Sequence, residues 1–261
     1  MQRITSKDNP NIKLYRKLSE SRKYRRENGM FVLEGVRLIA DAVKEGAKLH
    51  AVFVTESCME KLGGQAGMND LLTGADCYVI PDLLGEKISD TGSTQGVFAV
   101  CGILDKPAVS DTIKSGGKYI LLHSVQDPGN LGTIIRTADA VGVDAVFLSG
   151  CCDLYNPKVI RSTMGSIFRL NVSEISFEET FPLFNQRGIK TYAAVIDDDA
   201  ISLTDCDFSE GGAILIGNEG NGLPAEVSEL CDKKLTIKMQ GNVNSLNAAM
   251  AAGIIMWELV K

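Results

Sequence analysis

Histidine and paired cysteine motifs are scarce in this sequence, and their scarcity excludes whole classes of site. Its two histidines, His50 and His123, and its seven cysteines without a CxxC pair argue against a zinc centre. The odd number of cysteines also argues against a disulfide framework, so we interpret these residues as mostly small core side chains. We therefore expect no metal site.

Long apolar runs are also missing. No apolar stretch is long enough to cross a bilayer, and residues 1–13 lack the apolar core of a signal peptide. We therefore expect a cytoplasmic protein with no membrane partner. No GxGxxG motif follows an early strand, which argues against a Rossmann dehydrogenase.

Charge is distributed unevenly along the chain. The net charge of the 261 residues is −6, yet residues 1–26 contain nine Lys or Arg and only two Asp or Glu, a balance of +7. The remaining residues therefore carry −13. A basic segment on an acidic body is a pattern of proteins that contact a polyanion such as nucleic acid.

Alternating strand and helix patterns predict two α/β domains, residues 1–105 and 118–261. The Pro, Ser and paired Gly residues of 106–117 predict a linker between them. In the first domain we expect helices at 11–28 and 36–46 and strands at 30–35, 49–55, 75–80 and 97–103, with loop around a short helix at 58–74. In the second domain we expect strands at 119–125, 144–150, 191–196, 213–217 and 234–239, and helices at 130–142, 156–168 and 243–260.

Three polar stretches of the second domain each follow a predicted strand, where open α/β sheets usually bind ligands. In residues 126–142, Asn130 can cap a helix whose polar face carries Arg136. The second stretch, the Gly-rich loop 217–222, contains Glu219, which disfavours a phosphate ligand and favours a neutral or cationic one. In the third, residues 241–247, helix capping accounts for one small polar side chain but not for four.

These stretches resemble the three motifs of the SpoU/TrmH family of RNA ribose 2′-O-methyltransferases, in the SPOUT superfamily. Motif 1 is matched by NLGTIIRTA (130–138), motif 2 by LIGNEGNGL (215–223) and motif 3 by IKMQGNVNSLNAAMAAGI (237–254). RSTMGSIFRL (161–170) resembles the segment between motifs 1 and 2, and FVLEGVRLI (31–39) and TQGVFAV (94–100) resemble an N-terminal substrate-binding domain. One departure is Lys238, where the family often has Pro.

The resemblance implies an α/β fold: a C-terminal parallel-sheet SPOUT domain with a deep trefoil knot, plus a smaller N-terminal α/β domain of the L30e-like type. It implies S-adenosyl-L-methionine as cofactor and a homodimer formed through the last helix. By resemblance, Arg136 activates the ribose hydroxyl, and the other catalytic positions are Asn130, Glu219, Ser245 and Asn247. The positions that hold the cofactor are Gly217, Ile237, Met239 and Leu246.

The expected substrate is RNA, and the N-terminal domain favours ribosomal RNA, 23S in particular, over tRNA. Candidate RNA contacts are Arg22, Lys23, Arg25, Arg26 and Arg161, with Tyr15 or Tyr24 available to stack on a base. For each basic residue of the first helix, a solvated helix face is an equally good interpretation. Three alternatives stay open: a tRNA ribose methyltransferase, a base methyltransferase of the same superfamily, and a non-catalytic RNA-binding protein.

Overall fold

The chain divides into two compact units, each with its own sheet. The computed structural model describes residues 1–61, 74–241 and 243–261. The N-terminal unit comprises Met1–Asp105 together with Tyr155–Phe168, and the C-terminal unit comprises Lys106–Leu154 together with Arg169–Lys261. Residues 62–73, which cover most of the loop and short helix predicted at 58–74, lie outside the described residues, as does Asn242.

A five-stranded mixed sheet forms the centre of the N-terminal unit. Its strands are β1 (Gln2–Arg3), β2 (Met30–Glu34), β3 (Leu49–Thr55), β4 (Asp76–Ile80) and β5 (Val97–Gly102), in the order β1-β4-β3-β5-β2. Strands β1, β4 and β3 run parallel to one another, and β5 is antiparallel to both of its neighbours. Helices are α1 (Pro10–Glu20), α2 (Arg22–Asn28), α3 (Val36–Lys44), α4 (Glu56–Lys61) and α5 (Asp82–Ile88).

The predicted helix over 11–28 is two helices. Ser21 has an extended backbone (φ −125°, ψ 114°), and its hydroxyl accepts the N–H of Tyr24, which caps the start of α2. A serine that can cap a new helix competes with continuation of the first one. The end at Gly29 is as predicted, because Gly29 takes the left-handed conformation (φ 61°) that closes a helix.

A later segment of the chain, Tyr155–Phe168, completes the N-terminal unit. The helix predicted at 156–168 is split into α8 (Pro157–Ser162) and α9 (Ser166–Arg169), because Met164 and Gly165 take positive φ angles of 50° and 88°. Helix α8 packs against β2, and the rings of Tyr155 and Phe31 lie 4.7 Å apart. This segment thus lies within the predicted domain 118–261 along the chain but packs with the N-terminal unit.

The C-terminal unit contains a seven-stranded sheet in which all neighbouring strands run parallel. Its strands are β6 (Lys118–His123), β7 (Ala145–Ser149), β8 (Asn171–Glu174), β9 (Thr191–Ala194), β10 (Ile201–Ser202), β11 (Gly212–Ile216) and β12 (Lys233–Thr236). Their order is β10-β12-β9-β11-β6-β7-β8. Its helices are α6 (Val109–Thr112), α7 (Pro128–Val141), α10 (Phe177–Gln186), α11 (Ala225–Ser228) and α12 (Ala248–Val260). The predicted parallel sheet is confirmed, although β8, β10, α6, α10 and α11 were not predicted.

The stretch predicted as a linker belongs to the C-terminal unit. Residues 106–117 contain helix α6, and Ile113 is buried in the core cluster that also contains Tyr119 and Phe184. An apolar side chain in a shared core holds its backbone in place, so this stretch is not a free tether.

The central strands set the place of the candidate site. Strands β6 and β11 lie side by side with almost continuously buried side chains, as strands covered on both faces require. Helices α7 and α12 pack against each other, and α12 also contacts β11. The carboxyl ends of β6, β9, β11 and β12 therefore share one edge. Across the described ranges, the helices are all too short or too polar to span a bilayer.

Candidate active site

The loop 217–222, which follows β11, folds back on itself tightly. The backbone N–H and C=O of Asn218 each pair with Gly222, at 3.0 Å in both directions. A Cβ on Gly217 would lie 2.3 Å from the carbonyl carbon of Gly222, so glycine is required there by the close approach of backbone. The loop turns its carboxylate-bearing residue, Glu219, toward the loop that follows β6.

The carboxylate of Glu219 joins the first two predicted motifs. Its Oε1 accepts the backbone N–H of Asp127 at 3.0 Å and the side-chain Nδ2 of Asn130 at 3.2 Å. Its Oε2 accepts the backbone N–H of Gln126 at 3.2 Å and Nδ2 of Asn218 at 3.3 Å. We call Glu219, Asn130 and their direct partners the polar clamp. It fixes the loop from which α7 begins.

Hydrogen bonds keep Glu219 ionised. Burial raises the pKa of Glu219, but the N–H groups of Asp127 and Gln126 and the amide of Asn130 outweigh this effect and lower the pKa below its ordinary value. A carboxylate that accepts several N–H donors is a poor proton acceptor. We therefore assign Glu219 to holding the two loops together, not to proton transfer.

Asn247 brings the third motif into the same network. Its Oδ1 accepts the N–H groups of Ala249 and Met250, so it caps α12, while its Nδ2 donates to Oδ1 of Asn130 at 3.0 Å. Helix α12 spans Ala248–Val260, so the predicted closing helix is present and begins a few residues later than about 243. Of the small polar residues in 241–247, Asn247 caps the helix, and the same side chain bonds to Asn130 of motif 1.

Asn130 is not the cap of α7, contrary to the prediction. Pro128 is the first residue of that helix, and the side chain of Asp127 accepts the N–H of Asn130 at 2.8 Å. Proline suits this first position because it has no N–H to leave unpaired, and the residue before it becomes the cap. This frees both ends of the Asn130 amide for Glu219 and Asn247.

A cavity of about 420 Å³ lies at the carboxyl edge of the sheet. Its wall is formed by the ends of β9, β11 and β12, by the loop 217–222 and by the start of α12. The lining includes the four predicted cofactor positions and two of the predicted catalytic ones: Gly217, Ile237, Met239, Leu246, Glu219 and Ser245. The volume lies in the range of small-molecule sites, and the wall is mostly apolar side chains and backbone.

Arg136 stands apart from this network. It lies on the exposed face of α7, opposite the buried residues Ile134, Ile135 and Ala138. No hydrogen bond or ion pair to Arg136 occurs among the residues that the structure describes, and it does not line the cavity. Its guanidinium is available to a ligand that approaches from solvent.

The other predicted RNA contacts lie in the N-terminal unit. Arg22, Lys23 and Arg26 are exposed on α2. Arg161 lies on α8, where its Nη2 is 2.7 Å from the carboxylate of Asp90. One predicted contact is wrong: Arg25 is only 3% exposed, because its guanidinium donates to carbonyl groups at the end of α1.

The stacking partners suggested for a base also change. Tyr15 is buried, with its ring edge-on to Phe53 and Phe98 at 6.0 and 5.7 Å between centroids, so it cannot stack on RNA. Tyr24 is partly exposed, and the ammonium of Lys17 lies 5.4 Å from its ring centroid. The recurrence of Ile12, Tyr15 and Leu18 at every third position of α1 was the signal that could have identified Tyr15 as core.

Metal ligands do not gather in the described ranges. No group of three or more His, Cys, Asp or Glu side chains has the arrangement of a metal site there. All seven cysteines are free thiols, of which Cys58, Cys101 and Cys151 are buried. Sequence reasoning missed two organising residues of the clamp, Asp127 and Asn218. The first had a signal, an Asp directly before a Pro at a helix start, and the second had only its place in a turn.

Comparison with known families agrees with both units. The SpoU rRNA Methylase family model matches residues 117–257, and the MRM3-like substrate binding domain matches residues 9–99. The first match spans more than half of the chain and includes every residue of the polar clamp.

Whole-chain relatives extend this agreement. The chain is 32% identical over 260 residues to the 23S rRNA (guanosine(2553)-2′-O)-methyltransferase RlmP of Bacillus subtilis, covering 99% of both chains. It is 31% identical to the 23S rRNA (uridine(2479)-2′-O)-methyltransferase of Streptomyces viridochromogenes, covering 99% of this chain and 92% of that one. The AdoMet-bound rRNA methyltransferase from Sinorhizobium meliloti superposes with a TM-score of 0.86 at 29% identity, over 99% and 97% of the two chains. With these three motifs joined at one sheet edge, the chain belongs to the SpoU rRNA methylase family.

Proposed function

We propose that this protein transfers a methyl group from S-adenosyl-L-methionine to a ribose 2′-hydroxyl of 23S ribosomal RNA. The observation that carries the proposal is the polar clamp beside the cavity, because it joins all three motifs through Glu219, Asn130 and Asn247. Relatives that match the chain over nearly its whole length methylate 23S rRNA. This favours ribosomal RNA over tRNA and a ribose over a base.

The cavity fits the cofactor. An adenosyl group needs an apolar slot with backbone groups for its polar edge, and the cavity offers Ile237, Leu246 and the close-packed backbone at Gly217. Its one acidic residue, Glu219, agrees with a cationic sulfonium better than with a phosphate. When bound, S-adenosyl-L-methionine supplies an activated methyl group and no metal. The proposal includes the trefoil knot that the family resemblance implies for residues 237–247.

Arg136 is the group that we assign to the ribose. A ribose hydroxyl loses its proton only far above neutral pH, so transfer needs a base or a positioned cation. The guanidinium of Arg136 is exposed and has no partner among the described residues, so it can hold an RNA phosphate and polarise the hydroxyl beside it. The clamp would fix α7 and hence the register of this side chain.

The exposed face of α12 supports a homodimer as part of the proposal. Met250, Ile254 and Trp257 are spaced along one side of α12 and are 63%, 40% and 62% exposed. Large apolar side chains in a row on a helix mark a surface that another molecule covers. Ile255, by contrast, is buried within its own chain. We assign the covering surface to α12 of a second copy.

The test uses full-length protein and 23S rRNA from a strain that lacks the gene. Transfer of labelled methyl from the cofactor, followed by nuclease digestion and mass spectrometry, is expected to place the label on a ribose. Arg136→Ala is expected to lower single-turnover transfer by about 10²–10⁴-fold while calorimetry shows unchanged cofactor affinity. A labelled base would overturn the reaction type, and wild-type transfer by Arg136→Ala would overturn the catalytic assignment. No binding of the cofactor by the folded protein would overturn both.

A further inference from the structure

The side chain of Asn218 makes four hydrogen bonds, as many as that of Glu219 in the same loop. Its Oδ1 accepts the backbone N–H of Gly220 at 2.9 Å and that of Asn221 at 3.1 Å. Its Nδ2 donates to the carbonyl of Ser124 at 2.8 Å and to Glu219 at 3.3 Å. One amide therefore shapes the loop with its oxygen and fastens the loop to β6 with its nitrogen.

The acceptor on the other side, Ser124, has an uncommon backbone. Its φ is 55°, a left-handed conformation that few residues other than glycine adopt. Its N–H donates to the carbonyl of Ser149 at 2.8 Å, so the residue continues the pairing of β6 with β7 as the chain turns. A Cβ on Gly150 would lie 3.1 Å from the hydroxyl of Ser124, so the space around the turn is tight. A residue held in this way gives Asn218 a carbonyl in a fixed place.

We propose that Asn218 is a positioning residue for methyl transfer, which sets the loop so that Glu219 reaches the start of α7. The inference rests on the proposed function and deepens it. Two amide bonds within the loop and one to Ser124 place Glu219, and Glu219 then holds the N–H groups of Gln126 and Asp127. Arg136 lies on the same helix, so its distance from the cavity depends on Asn218.

Detachment of the loop 217–222 from the start of α7 should change the pKa of Glu219, and this change can be measured in the pH dependence of the rate. Asp127 faces it from the loop after β6, and Cys151 and Cys152 face it from beyond the end of β7. Burial raises the pKa of the Cys151 thiol to about 11 and that of the Cys152 thiol to about 12. Both thiols are therefore neutral at ordinary pH. Loss of the N–H donors would let the pKa of Glu219 rise, and the acid limb of the rate profile would move to higher pH.

Two substitutions separate positioning from other roles. Asn218→Ala removes every side-chain bond of the residue. Asn218→Asp keeps the oxygen that shapes the loop but turns a second carboxylate oxygen toward the carbonyl of Ser124 and toward Glu219. Glu229→Gln is the control, because Glu229 is an exposed residue of the same unit that does not line the cavity. Ser124→Gly tests the anchor, since glycine keeps its backbone angle without strain.

The experiment combines hydrogen–deuterium exchange of the full-length protein with single-turnover transfer to unmethylated 23S rRNA. We expect both Asn218 variants to exchange faster over residues 124–131 and to transfer methyl about 10²-fold more slowly, with cofactor affinity within about threefold of wild type. We expect the acid limb to move to higher pH, and Glu229→Gln and Ser124→Gly to behave as wild type.

Two other results decide against the inference, and a third decides against the proposed function. Unchanged exchange over residues 124–131 would overturn it whether or not the protein methylates RNA, because exchange needs no substrate. A loss of rate that a loss of cofactor affinity fully explains would make Asn218 a binding residue instead. If wild-type protein transfers no methyl while the Asn218 variants still loosen residues 124–131, the proposed function fails and the fastening by Asn218 stands.

Discussion

Glu219→Gln tests the polar clamp most directly, because it changes one oxygen and leaves the size of the side chain almost unaltered. Four donors converge on the two carboxylate oxygens, two on each, at 3.0 to 3.3 Å. Glutamine offers one oxygen and one amino group. Whichever way it lies, two of the four donors lose their acceptor and face another donor.

The magnitude follows from that count. A hydrogen bond to a charged group is worth about 1.5–3 kcal/mol, and Glu219 is exposed enough that about 1 kcal/mol for each lost bond is appropriate. Two lost bonds give about 2 kcal/mol, or about 30-fold in the fraction of molecules with the clamp closed. We therefore expect single-turnover methyl transfer to fall about 30-fold, with the free energy of unfolding lowered by about 2 kcal/mol at pH 7.

The pH dependence of stability gives a second, independent test of the clamp. The folded-state pKa of Glu219 is lowered, so its contribution to stability is complete above its ordinary pKa of 4.5 and is lost as pH falls through the folded-state value. The difference between wild type and Glu219→Gln in urea unfolding should therefore shrink below about pH 4.5. Glu229→Gln, an exposed glutamate of the same unit, is the control. Equal rates and equal unfolding free energies for the two variants would refute the clamp.

Three further predictions concern other parts of the molecule. Gly217→Ala places a Cβ 2.3 Å from the backbone of Gly222 and should lower cofactor affinity in calorimetry by about tenfold or more. Gly220→Ala is the control and should leave the affinity unchanged, because the nearest atom to its Cβ lies at 3.6 Å. Equal affinities of the two variants would contradict the close approach at Gly217. Trp257→Glu combined with Ile254→Asp should give a folded monomer by light scattering, and a surviving dimer would move the interface elsewhere; Ile255→Asp should instead unfold the chain. Reversing the charges of Arg22, Lys23 and Arg26 should lower the salt dependence of RNA binding by about two to three in the log–log slope, and an unchanged slope would exclude α2 as an RNA anchor.

The strand ends were the most predictable part of the site. Buried apolar runs followed by polar or glycine-rich stretches placed three motifs at one sheet edge, and the structure joins them through Glu219, Asn130 and Asn247. The end of a helix was predictable where a single residue determines it, as Gly29 does for α2. The direction of a side chain was not predictable, because it depends on packing against residues distant in sequence. Arg25 and Tyr15 occur in helical segments rich in charged residues, yet both side chains are buried.

Backbone conformations that the local sequence disfavours were also not predictable from the sequence. Met164 and Ser124 take positive φ angles that neither residue type favours, so the pattern alone predicted a continuous helix at 156–168 and an ordinary strand end at 125. The cap of α7 is Asp127 and lies about one turn before the predicted Asn130, because Pro128 occupies the first helical position. In each case the surrounding fold imposes a geometry that no window of neighbouring residues encodes.

The interrupted path of the N-terminal unit has a consequence for synthesis and for dissection of the chain. Strand β2 is complete at Glu34, yet the helix that packs against it, α8, begins at Pro157, so more than a hundred residues must leave the ribosome before this unit can close. Until then, the apolar groups that Tyr155, Val159 and Ile160 would cover stay in water or are held by a chaperone. A cut at residue 105 would separate β2 from helix α8, which packs against it. The N-terminal fragment would then expose apolar side chains of β2, and the C-terminal fragment would expose those of α8. Pulse-labelled nascent chains should therefore gain protease resistance in the N-terminal unit only after residue 168 has emerged.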